Sequence, residues 1–145
     1  MRILLLLTLT LLISCKNSAR IDQQNAEKLP VEFVKFYEKF HADTAYQLAH
    51  CVFPMQGLPD QADSTVSSDF RWNRNNWELQ TNIELPQGYV RSFSTFGPEM
   101  VIERMKNEQQ KLGMERRWAK LAGEWGLYYY VGLNQYNSTM GETQQ

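Results

Sequence analysis

The side chains best suited to acid–base chemistry in this 145-residue chain are two histidines and the neighbours of the second one. His50 could exchange a proton with a substrate while Asp43 orients its ring or Tyr46 assists it. His41 stands nine positions earlier, and no third ligand follows at a spacing that zinc sites use. We therefore predict no metal ion and no cofactor, and we retain His50, Asp43 and Tyr46 as candidate catalytic residues.

The remaining reactive or acidic side chains form no recognisable site. Cys51 lies in an apolar run with no base beside it, which indicates an inert, buried thiol. The acids between Asp60 and Asp69 lack the glutamate that ends a calcium-binding loop, because Arg71 occupies that position. No glycine-rich phosphate loop and no Gly-x-Ser-x-Gly nucleophile motif occurs.

The segment from Phe70 to Trp77 mixes aromatic, basic and amide side chains. Trp72 and Trp77 could stack on a sugar ring while Asn76 binds its hydroxyl groups. The same two indoles could instead close the hydrophobic core, as most buried tryptophans do. Trp72, Asn76 and Trp77 are therefore candidate ligand-binding residues, with a glycan as the candidate ligand.

The N-terminus has the organisation of a secretory signal. Arg2 precedes an apolar run from Ile3 to Ile13, and polar residues follow from Lys16. This run is too short to cross a bilayer, which takes about 20 apolar residues. We predict that residues 1–14 are a signal peptide and that residues 15–29 form a tether.

The four residues Leu12-Ile13-Ser14-Cys15 resemble the lipobox of bacterial lipoproteins. The resemblance implies cleavage before Cys15, diacylglycerol on its sulfur and anchoring of the chain in a membrane, since each buried CH₂ contributes about 0.8 kcal/mol. Lys16 stands where an aspartate would signal inner-membrane retention, so the resemblance indicates the bacterial outer membrane. We expect the domain to face the periplasm, with surface exposure as the alternative.

Composition narrows the classes of partner. The formal net charge of the chain is −1, so no basic excess suggests nucleic acid. The chain has two cysteines, and with Cys15 lipidated Cys51 has no partner for a disulfide bond. The expected partners are the membrane, through the anchor, and an envelope protein or a glycan.

Periodicity predicts two helices at the start of the domain. The aromatic residues of 30–41 recur at i, i+3, i+4 and i+7 and so share one helical face. Asp43 is a typical N-cap for a second helix from Thr44 to about Cys51. Val52–Pro54 should end that helix, and Met55–Ser68 should be a loop. The aromatic stripe consists of Phe33, Phe36, Tyr37 and Phe40.

The second half of the domain reads mainly as strands. Side-chain character alternates along Tyr89–Phe96 as in a strand. Two other segments, Trp77–Ile83 and Met100–Lys111, are compatible with a helix or a strand. Arg116–Leu121 and Trp125–Leu133 predict a hairpin through a glycine-containing turn, with every second residue of the last strand on one face. The domain should span 30–134, and residues 135–145 should form a flexible tail.

The order of these elements resembles the nuclear-transport-factor-2-like fold, a cystatin-like cone, and more closely small bacterial lipoproteins of that fold with no assigned function. The resemblance implies an α+β domain with N-terminal helices packed on a curved, mainly antiparallel sheet. The residues that carry it are Glu32–Phe40, Asp43, Tyr46-Gln47, Val52–Pro54, Trp72, Asn76-Trp77 and Gly123–Trp125.

The fold hosts both enzymes and binding modules, so it does not choose the function by itself. The leading hypothesis is a non-catalytic envelope module that binds a small ligand or a partner. The alternative is a small isomerase- or dehydratase-like enzyme that uses His50 and Asp43 in the cone pocket. A purely structural envelope component is the third possibility.

The lipobox gives a direct prediction. The wild-type protein should incorporate labelled palmitate in a bacterial host and partition with membranes, because Cys15 carries the acyl chains. The Cys15→Ala variant should show neither property. Equal labelling of the two proteins would contradict the prediction.

Overall fold

The computed structural model describes residues 28–63, 65–66, 69–81 and 85–136. The predicted signal peptide, and the tether up to residue 27, lie outside these residues, as does the tail beyond 136. Within the described part, two helices precede six strands. Their bounds are α1 Val31–Ala42, α2 Thr44–Ala49, β1 Cys51–Leu58, β2 Arg71–Trp72, β3 Val90–Thr95, β4 Met100–Asn107, β5 Leu112–Leu121 and β6 Glu124–Gln135.

The strands form one curved, open sheet in the order β2-β1-β6-β5-β4-β3. Four of the five neighbouring pairs are antiparallel, and β1 runs parallel to β6. The chain therefore has the predicted α+β class and a mainly antiparallel sheet. A parallel pair is possible here because a long stretch of chain separates β1 from β6, whereas a short hairpin joins antiparallel strands.

Helix α1 packs through its predicted aromatic stripe on the inner face of the sheet. The Phe33 ring lies 5.0 Å from that of Trp125, and the Phe40 ring lies 5.0 Å from that of Trp118. Phe33, Phe40 and Trp118 are fully buried. Large rings meeting edge to face add about 1 kcal/mol per pair beyond the burial of their area. The core is therefore an aromatic layer between one helix and the sheet.

Helix α2 begins at the predicted cap. Asp43 accepts a hydrogen bond from the backbone N–H of Tyr46 (3.0 Å), which satisfies one of the free donors of the first turn. The helix ends at Ala49, two residues before the predicted end. His50 closes it, since its own N–H donates to the carbonyl of Tyr46.

The prediction for residues 50–58 is wrong. Cys51 belongs to β1 rather than to a helix, and the first part of the predicted loop is also strand. Proline cannot donate to a ladder, and Pro54 lies where the pairing between β1 and β6 is irregular. A proline that looks like a helix terminator in the local sequence is therefore accommodated inside a strand by a break in register.

The ambiguous segment from Met100 to Lys111 is a strand as far as Asn107. Its inward and outward residues alternate, and it pairs along its whole length with β5. Trp77–Ile83 was also compatible with a helix or a strand. The described part of it, Trp77–Thr81, forms neither. β3 lies inside the predicted strand from Tyr89 to Phe96.

The predicted hairpin of β5 and β6 is confirmed. The prediction that every second residue of β6 lies on one face holds only for the first part of the strand. Trp125 and Leu127 are buried as expected. An extra residue, Tyr128, then interrupts the pairing, since Trp118 faces Leu127 and Arg117 faces Tyr129. Such a bulge reverses the alternation of the side chains beyond it.

A close approach between β1 and β6 makes Gly57 sensitive to substitution. Its φ is +153°, and a Cβ atom there would overlap the backbone carbonyl of Tyr130. Gly57→Ala should lower the free energy of unfolding by about 3 kcal/mol or more in a denaturant titration, because the strands must separate. Gly97 is the control, since its φ is +66° and its Cβ would meet nothing within 4 Å. Gly97→Ala should cost about 1 kcal/mol, and equal losses would contradict the prediction.

Candidate functional site

A buried ionic cluster occupies the inner face of the sheet under α1. The Glu103 carboxylate accepts hydrogen bonds from the Tyr37 hydroxyl (2.8 Å) and from the Arg116 guanidinium (3.3 Å). Arg91 forms an ion pair with the same carboxylate, with 3.2 Å between Nε and Oε1. Glu103 and Arg116 have no solvent exposure. Four elements, α1, β3, β4 and β5, thus converge on one carboxylate.

Two further side chains surround Arg116. Its guanidinium donates to Oε1 of Gln80 (2.8 Å), and it lies 3.1 Å from Nε2 of His41. A guanidinium can only donate, so Nε2 must accept and the proton must sit on Nδ1, which lies 2.9 Å from the Tyr37 carbonyl. Burial, and next the positive charge of Arg116, lower the pKa of His41 to about 4. His41 is therefore neutral at physiological pH.

Gln47 holds the segment that delivers Gln80. Its amide nitrogen donates to the carbonyls of Phe40 (3.0 Å) and Gln80 (2.8 Å). Its amide oxygen accepts from the backbone N–H of Gln80 (2.6 Å) and from the indole of Trp77 (3.3 Å). This fully buried amide fixes residues 77–80, which have no regular structure, against the helices.

The ionic cluster is poorly suited to catalysis at neutral pH. Burial, with the nearby charge of Glu103, raises the pKa of Tyr37 well above its usual value, and the pKa of His41 is far below neutrality. Neither group can exchange a proton readily near pH 7. Opening the cluster would also expose a paired buried carboxylate, and breaking such a pair costs about 3–5 kcal/mol. The cluster therefore acts as a structural element.

An open cleft of about 630 Å³ lies at the other side of α1, where both helices meet the tip of the β5–β6 hairpin. We call it the hairpin cleft. Its aromatic floor consists of Phe36, Tyr46, His50 and Trp125. Its charged rim consists of Glu32, Lys35, Lys39, Lys120 and Glu124.

The rim of the hairpin cleft is only partly neutralised. Lys120 forms an ion pair with Glu32 at 2.6 Å. The Lys39 ammonium lies 4.1 Å above the centre of the Tyr46 ring instead of on a carboxylate. Lys35 makes no ion pair with any residue in the described part of the chain. Lys35 and Lys39 therefore outnumber the one rim carboxylate outside an ion pair, that of Glu124.

Two of the three candidate catalytic residues meet in this cleft. The His50 ring stacks on that of Tyr46 at 3.7 Å between centres, and its Nδ1 lies 2.8 Å from the Tyr46 carbonyl. Nδ1 must therefore carry the donated proton when His50 is neutral, which leaves Nε2 as the acceptor. Asp43 caps the opposite end of α2, where its carboxylate binds the N–H of Tyr46. Asp43 does not orient His50.

Of the three candidate glycan-binding residues, two are buried and one is exposed. Trp72 and Trp77 are only 6% and 8% exposed, and their rings pack on each other and on Tyr130. The Trp72 indole donates to the carbonyl of Tyr130 (2.9 Å). Asn76 is exposed and stabilises a turn by donating to the carbonyl of Arg71. Other rings thus cover the faces of both indoles that a sugar would need.

Cys51 is buried, and desolvation raises the pKa of its thiol to about 12. Such a thiol has almost no thiolate at neutral pH, as expected for an inert residue. Among the described residues, no three His, Cys, Asp or Glu side chains lie close enough to hold a metal ion. No described helix is both long and apolar enough to cross a membrane. Cys15 lies outside the described part.

Sequence reasoning missed the two most buried charges, Glu103 and Arg116. A signal for them exists: Glu103 alternates with Val101 and Met105, so a strand that buries those residues must bury Glu103 too. Arg116 stands in the same relation to Met114 and Trp118 on β5. A charge on the apolar side of a strand indicates a paired, buried ion.

No protein-family model and no curated protein matches the chain. Solved structures do match it. A cystatin-like protein from Bacteroides caccae is 21% identical, with a TM-score of 0.53, over 69% of this chain and 74% of that one. The fold is cystatin-like. A protein from Bacteroides uniformis, solved by NMR, is 18% identical with the same TM-score, over 69% of this chain and 75% of that one. These similarities establish the fold alone.

His41 predicts how stability depends on pH. Its folded-state pKa is about 4 and its unfolded value is about 6.5, so the unfolded chain binds more protons between these values. Stability should therefore fall as pH drops from 6.5 to 4, with roughly 3 kcal/mol of the loss arising from His41. Denaturant titrations of His41→Gln should show a shallower loss of stability between these pH values than those of the wild type. Identical slopes in the two proteins would refute the assignment.

Proposed function

We propose that this protein is a lipid-anchored component of the bacterial cell envelope whose cystatin-like domain binds a small ligand or a partner without catalysis. The proposal places Cys15 in the outer membrane through its acyl chains and the domain on the periplasmic side. It also assigns the chain to small lipoproteins with a nuclear-transport-factor-2-like domain. The lipobox residues Leu12–Cys15, followed by Lys16, support the anchor and its location.

One observation carries the binding function: the interior of the domain is filled, whereas the hairpin cleft is open. Trp118 and Phe33 are fully buried between α1 and the sheet. The polar groups on the inner face are engaged by the ionic cluster around Glu103. The hairpin cleft, in contrast, has a volume in the range of small-molecule sites, about 300–1,000 Å³. An accessible surface with aromatic and charged groups suits binding.

The enzymatic alternative would use His50 within the same cleft. The specific observation in its favour is that Nδ1 of His50 is held by the Tyr46 carbonyl, which leaves Nε2 as the basic atom. A catalytic histidine normally has a second group to orient or relay its proton, and Asp43 is engaged elsewhere. We therefore place binding first.

Ligand retention tests the proposal. The full-length protein, purified natively from its membrane fraction and then denatured, should release a compound or partner in near-equal amount that mass spectrometry identifies. The Tyr46→Ala/His50→Ala variant should lose it, because both rings form the cleft floor. Tyr89→Ala should keep it, since Tyr89 bonds Gln110 away from the cleft.

The same experiment separates the three functions. Loss of the retained species in Tyr46→Ala/His50→Ala, with no chemical change of the species by the wild type, supports the binding module. Conversion by the wild type but not by a His50→Ala variant would establish the enzyme instead. Retention that is equal in all variants would remove the cleft as the binding surface, and absence of any retained species would favour a purely structural role.

A further inference from the structure

We propose that the hairpin cleft binds a small anionic molecule with a flat, aromatic or similarly apolar body. This inference rests on the proposed binding function and names the chemical class of its ligand. The argument uses three features of the cleft: its aromatic floor, the excess of lysines on its rim and the two carboxylates that stand among them.

The floor of the cleft has one aromatic face that a planar ligand could take over. The His50 ring stacks on the Tyr46 ring at 3.7 Å, and the Lys39 ammonium lies 4.1 Å from the centre of the Tyr46 ring. Phe36 and Trp125, the other two rings of the floor, are only 6% exposed. A planar anion could take the place of the ammonium over the Tyr46 ring while the ammonium moves to the anionic group. Rings that are already fixed by one another lose little freedom in this exchange, so the floor favours a flat body over a flexible chain.

The rim of the cleft favours negative charge. Lys35 and Lys39 project from successive turns of α1, and neither contacts a carboxylate of the described residues as an ion pair, although Lys35 lies near enough to Glu32 to help lower the pKa of that carboxyl. Lys120 stands across from them and shares its charge with Glu32 at 2.6 Å. A carboxylate, sulfonate or phosphate group between these ammonium groups would form charge-assisted hydrogen bonds. The rim has three lysines and only two carboxylates, Glu32 and Glu124, so one positive charge is left over.

The mixed charge of the rim favours a small molecule over a membrane surface. Anionic headgroups form a continuous array, so a surface that binds them carries basic side chains with few carboxylates among them. Here the carboxylates of Glu32 and Glu124 stand on the same rim as the lysines, around an open cleft of about 630 Å³. Both carboxylates would repel such an array, whereas one small anion can lie between the lysines.

The test uses naphthalene-2-sulfonate and its uncharged isostere naphthalene-2-sulfonamide. Full-length lipidated protein in phosphatidylcholine nanodiscs is equilibrated with each probe by dialysis, and binding to empty nanodiscs is subtracted. The sulfonate should bind with one-to-one stoichiometry, at least fivefold more tightly than the sulfonamide, and its affinity should fall with added salt. An excess of inorganic phosphate should displace it only weakly.

Two charge-matched variants locate the effect. Lys35→Gln/Lys39→Gln should weaken sulfonate binding at least fivefold and leave the sulfonamide within twofold. Lys106→Gln/Lys111→Gln removes the same charge near the β4–β5 turn, at the opposite end of β5 from the cleft, and should leave both probes within twofold. A thermal melt and a circular dichroism spectrum check that each variant is folded.

Four results would overturn the inference. The first two are equal affinities of the wild type for the two probes and equal sulfonate affinities of the two double variants. The third is displacement of the sulfonate by phosphate as effectively as by unlabelled sulfonate. The fourth is loss of sulfonate binding in anionic phosphatidylglycerol nanodiscs, which would mean that lipid headgroups occupy the lysines. Probes that bind equally but are lost in Tyr46→Ala would make the cleft a neutral aromatic site. The binding function would then survive while the anionic ligand would not.

Discussion

The carboxylate of Glu103, buried between two arginines, is the constraint on which the arrangement of this domain depends. It stands directly opposite Arg116 across the β4–β5 pair, while Arg91 reaches it from β3 and Tyr37 from α1. A slip of one residue in either strand pair would turn a charge outward and leave its partner buried alone. Removing one member of a buried ion pair typically costs several kcal/mol. The same cluster therefore fixes both the register of the strands and the position of helix α1 on the sheet.

The burial of this ion cluster has a consequence for function. The space between helix α1 and the sheet holds large rings and an ion cluster that is shielded from water. The groups there keep fixed protonation states at neutral pH, because burial moves the pKa of Tyr37 up and that of His41 down. Tyr46 and His50, in contrast, remain partly accessible on the other side of α1.

Local patterns in the sequence predicted the parts of the structure that depend on local interactions. The stripe of α1, the Asp43 cap and the β5–β6 hairpin each arise within a few residues, and all are present. The ion cluster was missed because its members lie on different elements and meet only when strands pair. For the same reason only part of the hairpin cleft was predicted. Tyr46 and His50 were named together because they are one helical turn apart, whereas Lys120 was missed because it comes from another element.

The bulge at Tyr128 gives neighbouring arginines separate aromatic partners. Beyond it Tyr129 lies 4.2 Å from the guanidinium of Arg117 on the outer face, and Tyr130 lies 5.6 Å from that of Arg116 on the inner face. Deleting one of the three tyrosines while the bulge is kept would leave a tyrosine beside Arg117 but bring Val131 to the position of Tyr130, so Arg116 would lose its aromatic partner. Leu133 would at the same time take the place of Gly132, where a Cβ atom overlaps Asp60. The length of the bulge is therefore fixed by Arg116 on one side and by Gly132 on the other.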